Sequence, residues 1–151
     1  MMINRFANAD VVRDVIQVQL DEGAYMPVRE HEEDAGYDLY TPTDVLVPAH
    51  GSAVIDTGVH ILIPIGFVGM LKSKSGLNVK HDLNGEGVID AYYTGSIVVK
   101  LYNHGDTDKM FEAGNKIIQV VILPIYTPDL MRVDKLPETD RGSNGFGSTG
   151  K

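Results

Sequence analysis

Hydrophobic and polar positions alternate along this chain in short bursts, and each burst closes on a turn residue. Ile16, Val18 and Leu20 alternate with Gln17 and Gln19, the two-residue period of a half-buried strand. Val45-Leu46-Val47 stops at Pro48, Ala53-Val54-Ile55 stops near Gly58, and the run from Val59 to Ile63 stops at Pro64. Phe67 to Lys72 follows Gly66, and Ser96 to Tyr102 follows Gly95 with weak alternation. Ile117 to Leu123 is a continuous apolar run closed by Pro124, which predicts a strand buried on both faces. Turn signals return about every eight to twelve residues, the spacing of a β-sandwich or barrel. Only Ser75 to His81 leaves room for a helix of one or two turns, with residues 8–14 as a second short turn. The expectation is an all-β, jelly-roll-type barrel with one short helix. The barrel spans residues 1–136, and a flexible glycine-rich C-terminal arm spans residues 137–151.

Composition narrows the possibilities. A chain of 151 residues suits one domain with a sizeable core. It has no cysteine, which removes disulfides, thiolate metal sites and a cysteine nucleophile. No apolar run reaches the length of a membrane span, and the first 14 residues carry charge without an apolar stretch, so a cytoplasmic protein that does not bind membranes is expected. The net charge of −8 opposes nonspecific binding to nucleic acid. A small anion remains possible if cations gather locally, and Lys72, Lys74, Lys80, Lys116 and Arg141 are the candidates.

The five histidines (His31, His50, His60, His81, His104) are scattered, and none stands at H-E-x-x-H or H-x-H spacing, so zinc chemistry finds little support. His31-Glu32-Glu33-Asp34 reads as a solvated charged loop rather than a metal site. No G-x-S-x-G elbow is present, so serine hydrolase chemistry is unsupported. In the segment from Gly87 to Gly95, two glycines bracket Asp90, Tyr92 and Tyr93. With Val88 and Ile89 packed, Asp90 stands at a hairpin tip, where a carboxylate can hold a water for general-base attack. Taken alone, the same segment reads as an Asp capping backbone N–H groups in a turn.

Lys72-Ser73-Lys74-Ser75-Gly76 lies at a strand-to-helix junction. It is either an anion site or a serine N-cap between solvated lysines. Gln119 sits inside an apolar run and needs a polar partner if buried. Asp38 follows the turn glycine Gly36. At the end of the sequence, Gly145, Gly147 and Gly150 satisfy G-x-G-x-x-G, but no helix follows to receive a phosphate, so the standard dinucleotide and P-loop readings fail. Arg141, Phe146, Ser148 and Thr149 either fold over a nucleotide or form the polar tail common at chain ends.

The order of these segments carries more than any one of them. Ala35-Gly36-Tyr37-Asp38-Leu39, Ser73-Lys74-Ser75-Gly76-Leu77, Gly87 to Gly95, Ala113 to Gln119, and Arg141 to Gly150 closely resemble the five ordered motifs of the homotrimeric dUTPase family. The resemblance runs from about residue 16 onward. The third and fifth motifs are highly specific, while the second and fourth are degenerate.

That resemblance implies a jelly-roll enzyme that hydrolyses dUTP to dUMP and pyrophosphate, limiting uracil incorporation into DNA and supplying dUMP. It implies a homotrimer whose active sites draw on all three chains, with dUTP as substrate and Mg2+ as cofactor. Gly87, Val88 and Ile89 would hold uracil through their backbone, helped by Asn84. Tyr93 would pack on the deoxyribose and exclude a 2′-hydroxyl, and Asp90 would orient and deprotonate the attacking water. Lys74, Ser75, Gly76, Lys116 and Gln119 would meet the phosphate chain. Asp38 would reach the metal only through water. Arg141, Phe146, Gly147, Ser148 and Thr149 would close over the nucleotide from a neighbouring subunit. The family usually carries arginine where Lys74 and Lys116 stand, and lysine keeps the charge without the bidentate fork. Two other readings of the scaffold are a dUTP-sensing binding protein and a relative of dCTP deaminase. The deaminase would need an acid–base glutamate after the second motif, where Asn78 and Lys80 stand.

Overall fold

A computed structural model describes residues 15–145. The described residues form eleven strands and one helix. In order these are β1 (Val18–Leu20), β2 (Tyr37–Tyr40), β3 (Val45–Val47), β4 (Gly51–Asp56), β5 (Val59–Ile61), β6 (Phe67–Lys72), α1 (Ser75–His81), β7 (Leu83–Asn84), β8 (Gly87–Ile89), β9 (Val98–Asn103), β10 (Lys109–Phe111) and β11 (Lys116–Pro124). All pairings are antiparallel. One sheet has the order β2-β11-β6-β8 and a second β4-β9-β7, while β1 pairs with β5 and β10 with β3. Short antiparallel strands that cross between sheets make a jelly-roll-type all-β fold with one short helix.

The core follows from side-chain alternation. In β9, Val99, Leu101 and Asn103 point inward while Val98, Lys100 and Tyr102 point out. Leu39, Val47, Val59, Ile63, Leu83, Ile117, Ile118 and Val120 are among the residues that join them in the interior. Asn103 is buried among them and fully paired: its amide donates to the carbonyls of Val47 (3.1 Å) and Thr107 (2.9 Å).

The continuous apolar run behaves as expected over its first half only. A register irregularity between Lys116 and Ile118 lets two successive isoleucines, Ile117 and Ile118, both face the interior. Past Val120 the strand surfaces, and Leu123 is exposed.

The helix stands where it is expected, but its N-cap is Lys74 and no side chain caps it, so the serine-cap reading does not hold. Asp82 closes it in the left-handed conformation at φ 52°. The expected hairpin carrying Asp90 is also different. β8 pairs with β6 and β9 pairs with β4 and β7, so the chain crosses between sheets at residues 90–97 instead of folding back on itself. Val88, expected to pack, is 60% exposed, because one face of edge strand β8 looks outward. The last strand ends at Pro124, and residues 125–145 carry neither helix nor strand. The short turn read at residues 8–14 lies outside the described residues.

Candidate active site

Two strand neighbours of β11 bring the first group of residues together. Gln119 stands opposite Asp38 of β2 on one side and Lys72 of β6 on the other, so the three side chains share one row across the sheet. Just past β6 the chain turns into α1, which places Lys74, Ser75 and Gly76 beside that row. The result is a polar cleft of about 230 Å³ lined by Asp34, Ala35, Gly36, Asp38, Lys74, Ser75, Gly76 and Gln119. Gln119 finds its polar partner here, donating to the Ser73 carbonyl at 3.2 Å. Gly36 lets the Gln119 side chain lie close against the backbone: a Cβ there would come 2.5 Å from the Gln119 Oε1 and 3.1 Å from a Val121 methyl. Gly76 is different: a Cβ there would meet no atom within 4 Å, so the space beside its backbone is open.

Electrostatics in the cleft centre on Asp38, which is only 7% exposed. Both lysines compensate it. Lys74 Nζ is bonded to one carboxylate oxygen and Lys116 Nζ lies 3.0 Å from the other. Lys116 also donates to Glu30 at 2.9 Å. Held first by Glu30 and then by Asp38, the Lys116 ammonium is raised well above the ordinary lysine range, while Lys116 holds the Glu30 carboxyl below its ordinary value. Glu30 is not legible in the sequence as part of a site, because it opens a charged run that reads as solvated loop.

The second group is the segment after β8. Ile89 is buried, Asp90 is exposed, and Tyr92 adopts φ 62° while its N–H donates to the Ile63 carbonyl at 2.9 Å. Tyr93 lies across Gly95, where a Cβ would overlap the ring, and its hydroxyl donates to the Ser96 carbonyl at 3.2 Å. Val88, Ile89, Asp90, Tyr93, Ser96 and Val98 line a cleft of about 250 Å³. Among the described residues, the edge of β8 that faces away from β6 has no strand partner. Asn84, in β7 opposite Tyr102, is bonded through Oδ1 to the His104 ring at 2.9 Å.

The two clefts stand apart. Ile89 pairs with Gly69, so Asp90 lies at the start of β6 while Lys74 follows its end. About six residues of extended chain separate them, roughly 15–20 Å. The structure thus unites Asp38, Lys74, Ser75, Gly76, Lys116 and Gln119, and separately unites Val88, Ile89, Asp90 and Tyr93, with Gly87 at the head of β8. The two groups are tied covalently and through Ser73, whose hydroxyl accepts from the Gly85 N–H at 3.0 Å, and through the Lys72–Glu86 pair at 2.8 Å. Arg141 is exposed and, among the described residues, bonds within its own turn, its Nε donating to the Asn144 carbonyl at 3.2 Å. Phe146, Gly147, Ser148 and Thr149 lie outside the described residues.

The described residues thus form an all-β, jelly-roll-type fold that carries a polar cleft and, apart from it, a turn presenting a carboxylate. Residues 22–150 match the family model for dUTPase, and the chain belongs to the dUTPase family. Among curated relatives, the deoxyuridine 5′-triphosphate nucleotidohydrolase of Arabidopsis thaliana is 46% identical over 133 residues, covering 87% of this chain and 80% of that protein. The Dictyostelium discoideum relative of the same name, described as mitochondrial, is 41% identical over 87% of this chain and 74% of its own length. Among solved structures, the dUTPase of Staphylococcus bacteriophage 80alpha with dUPNHPP superposes with a TM-score of 0.86 at 33% identity, over 92% of this chain and all (100%) of that one. A mutant dUTPase of phage phi11 of S. aureus, described with a structural Mg(II) ion, gives 0.75 at 33% identity over 81% and 98% of the two chains. Among the described residues no helix is long and apolar enough to cross a membrane.

Proposed function

We propose that this chain hydrolyses dUTP to dUMP and pyrophosphate by attack of an Asp90-activated water on the α-phosphate, at sites completed between three copies. The reading rests on one observation: the chain carries both halves of such a site, a phosphate-sized polar cleft and a turn presenting a carboxylate, at opposite ends of β6. With the two halves roughly 15–20 Å apart on one chain, a neighbouring copy would bring the complementary half to the same nucleotide. The bare surface agrees with assembly. Beyond β11, Tyr126, Leu130, Met131 and Leu136 are 76–96% exposed, apolar area that a single soluble chain does not normally leave in water.

At such a site the unpartnered edge of β8 would read uracil through backbone groups of Gly87, Val88 and Ile89, with Asn84 beside them. Tyr93, fixed across Gly95, would leave no space for a 2′-hydroxyl. Lys74, Ser75, Gly76 and Gln119 would hold the phosphate chain, with Lys116 next to them on Asp38. Residues 137–151 would form the arm that closes from a neighbouring subunit, placing Phe146 on the base and Arg141, Ser148 and Thr149 on the phosphates, with Gly147 between them. Asp90 would take the proton of the attacking water as pyrophosphate leaves. The phosphates would displace Asp38 from Lys74, freeing a carboxylate beside them.

The donor set suits a magnesium ion carried in on the triphosphate. Among the described residues no three His, Asp or Glu side chains form a metal cage, yet the nearly buried Asp38 faces the phosphate-sized cleft and can reach the ion through water. When bound, Mg2+ would neutralise charge developing on the phosphates. A cytoplasmic location is proposed with this activity; the Dictyostelium relative, named as mitochondrial, shows that the family is not confined there.

Pyrophosphate release from dUTP, dTTP, dCTP and UTP with Mg2+ tests the reading, with turnover expected for dUTP alone. Ammonia from dCTP would make the chain a deaminase relative. Tight dUTP binding without turnover would make it a sensor.

A further inference from the structure

The turn that carries Asp90 and Tyr93 is anchored from behind by residues outside the five motif segments. His60, in the middle of β5, sits opposite Gln19 of β1 and is 20% exposed at its side chain. Its Nδ1 lies 2.7 Å from the Thr94 carbonyl and its Nε2 lies 3.1 Å from Asp21 Oδ1. A carbonyl oxygen and a carboxylate both only accept. Both bonds therefore exist together only when both ring nitrogens carry a proton, that is, when His60 is an imidazolium. The other side of the same turn is held by Asp56, which accepts from the Ser96 hydroxyl and, at 3.0 Å, from the Gly58 N–H. Ser96 in turn offers its carbonyl to the Tyr93 hydroxyl.

We propose that His60 and Asp21 form a positioning clamp on the Thr94–Ser96 turn, which fixes Tyr93 and so sets the discrimination between deoxyribo- and ribonucleotides. The clamp closes with one proton and opens without it. When His60 loses that proton, one ring nitrogen becomes an acceptor and must abandon either Thr94 or Asp21. Thr94 lies one residue after Tyr93, and Gly95 beneath the Tyr93 ring follows it, so a loosened turn shifts the ring that blocks the 2′ position.

The charged groups facing the imidazole are Asp21, at the end of β1, and Asp56, at the end of β4. Both favour the cation. The Thr94 carbonyl acts first and Asp21 second to raise the His60 pKa above its ordinary value of 6.5. The sign is that of a group raised on folding. The clamp is closed at and below the ordinary histidine range and is lost as pH climbs through the raised value.

The proposal rests on the assignment of Asp90 and Tyr93 to the active site, so the test keeps the two separate. The His60 ring is titrated by NMR, and hydrogen exchange of the Thr94–Ile97 amides is followed, both without substrate. In parallel the ratio of kcat/KM for UTP to that for dUTP is measured from pH 6 to 9 in the unaltered chain, His60→Gln, His60→Ala and Asp21→Asn. The proposal expects a ring pKa above 6.5 that falls in Asp21→Asn, and faster exchange at residues 94–97 in the His60 variants. It expects the UTP share to rise with pH in the unaltered chain. In His60→Gln that share should be flat with pH and higher by about 2- to 12-fold, the equivalent of one ordinary hydrogen bond. An ordinary ring pKa with unchanged exchange overturns the clamp. So does a discrimination ratio that keeps its pH dependence in His60→Gln. Full turnover by Asp90→Asn would instead sink the site assignment, whatever the clamp does.

Discussion

Asp38 shows how a single nearly buried carboxylate organises the proposed phosphate side of the site. It is only 7% exposed, and two lysines compensate its carboxylate. Lys74→Met removes one of these partners and, on the proposed reading, a phosphate ligand. A loss of about 10- to 100-fold in kcat/KM for dUTP is expected, the range for a bond to a charged group. Lys74→Arg, which restores the family's usual side chain, should retain or raise activity. Steady-state kinetics on both variants check this, and a Met variant with unaltered kcat/KM would free Lys74 from that role. Asp90, by contrast, is exposed and placed by its turn. Asp90→Asn should lower kcat by roughly 10²–10⁴-fold while leaving dUTP affinity largely intact. Calorimetric binding with a non-hydrolysable analogue, set beside pyrophosphate release, separates the two quantities.

At the scale of elements, the 90–97 crossing acts as a single unit. Tyr92 is pinned to Ile63, Thr94 to His60 and the Ile97 N–H to the Val59 carbonyl at 2.8 Å, all on the stretch that includes β5. Gly95 completes it by making room for the Tyr93 ring. Gly95→Ala therefore should displace that ring and raise UTP hydrolysis relative to dUTP, as Tyr93→Ala should by removing it. An unchanged ratio in both variants would put sugar selection elsewhere. Much of this architecture is legible as pattern. Strands β3 to β6, β9 and β11 and the helix lie where alternation and turn residues put them. β2 escapes because Asp38 breaks its apolar run, and β7 and β10 because two or three residues carry no period. The crossing reads as a hairpin in the sequence because two glycines flanking a polar tip look the same whether the flanking strands pair or part. Which strand pairs with which is a long-range property. The same limit hides Glu30, the Ser73–Gly85 contact and the His60–Asp21 pair, whose partners lie 12 to 86 positions away in sequence. Motif order, on the other hand, brings together the residues of both clefts without showing that there are two.

At the scale of the whole molecule, the separation of those clusters makes assembly a requirement of the proposed chemistry. Light scattering should show a trimer, and a fully active monomer would overturn shared sites. Mixing variants gives a sharper test. Chains with Asp90→Asn keep the arm and lose the base, whereas chains ending at Thr139 keep Asp90 and lose the arm. Each alone should be nearly inactive while remaining folded and trimeric, because the described residues after Pro124 carry no strand or helix. In a cyclic trimer each site takes its turn from one chain and its arm from a neighbour. Every mixed ring then contains one junction with an intact turn facing an intact arm. With equal amounts of the two chains unfolded and refolded together, about a quarter of all sites should be restored, since each site needs the right variant in two places. Activity near a quarter of that of the unaltered protein is the expected result. If turn and arm came from the same chain, no mixture could place an intact pair in one site, and activity would stay at the sum of the separate variants.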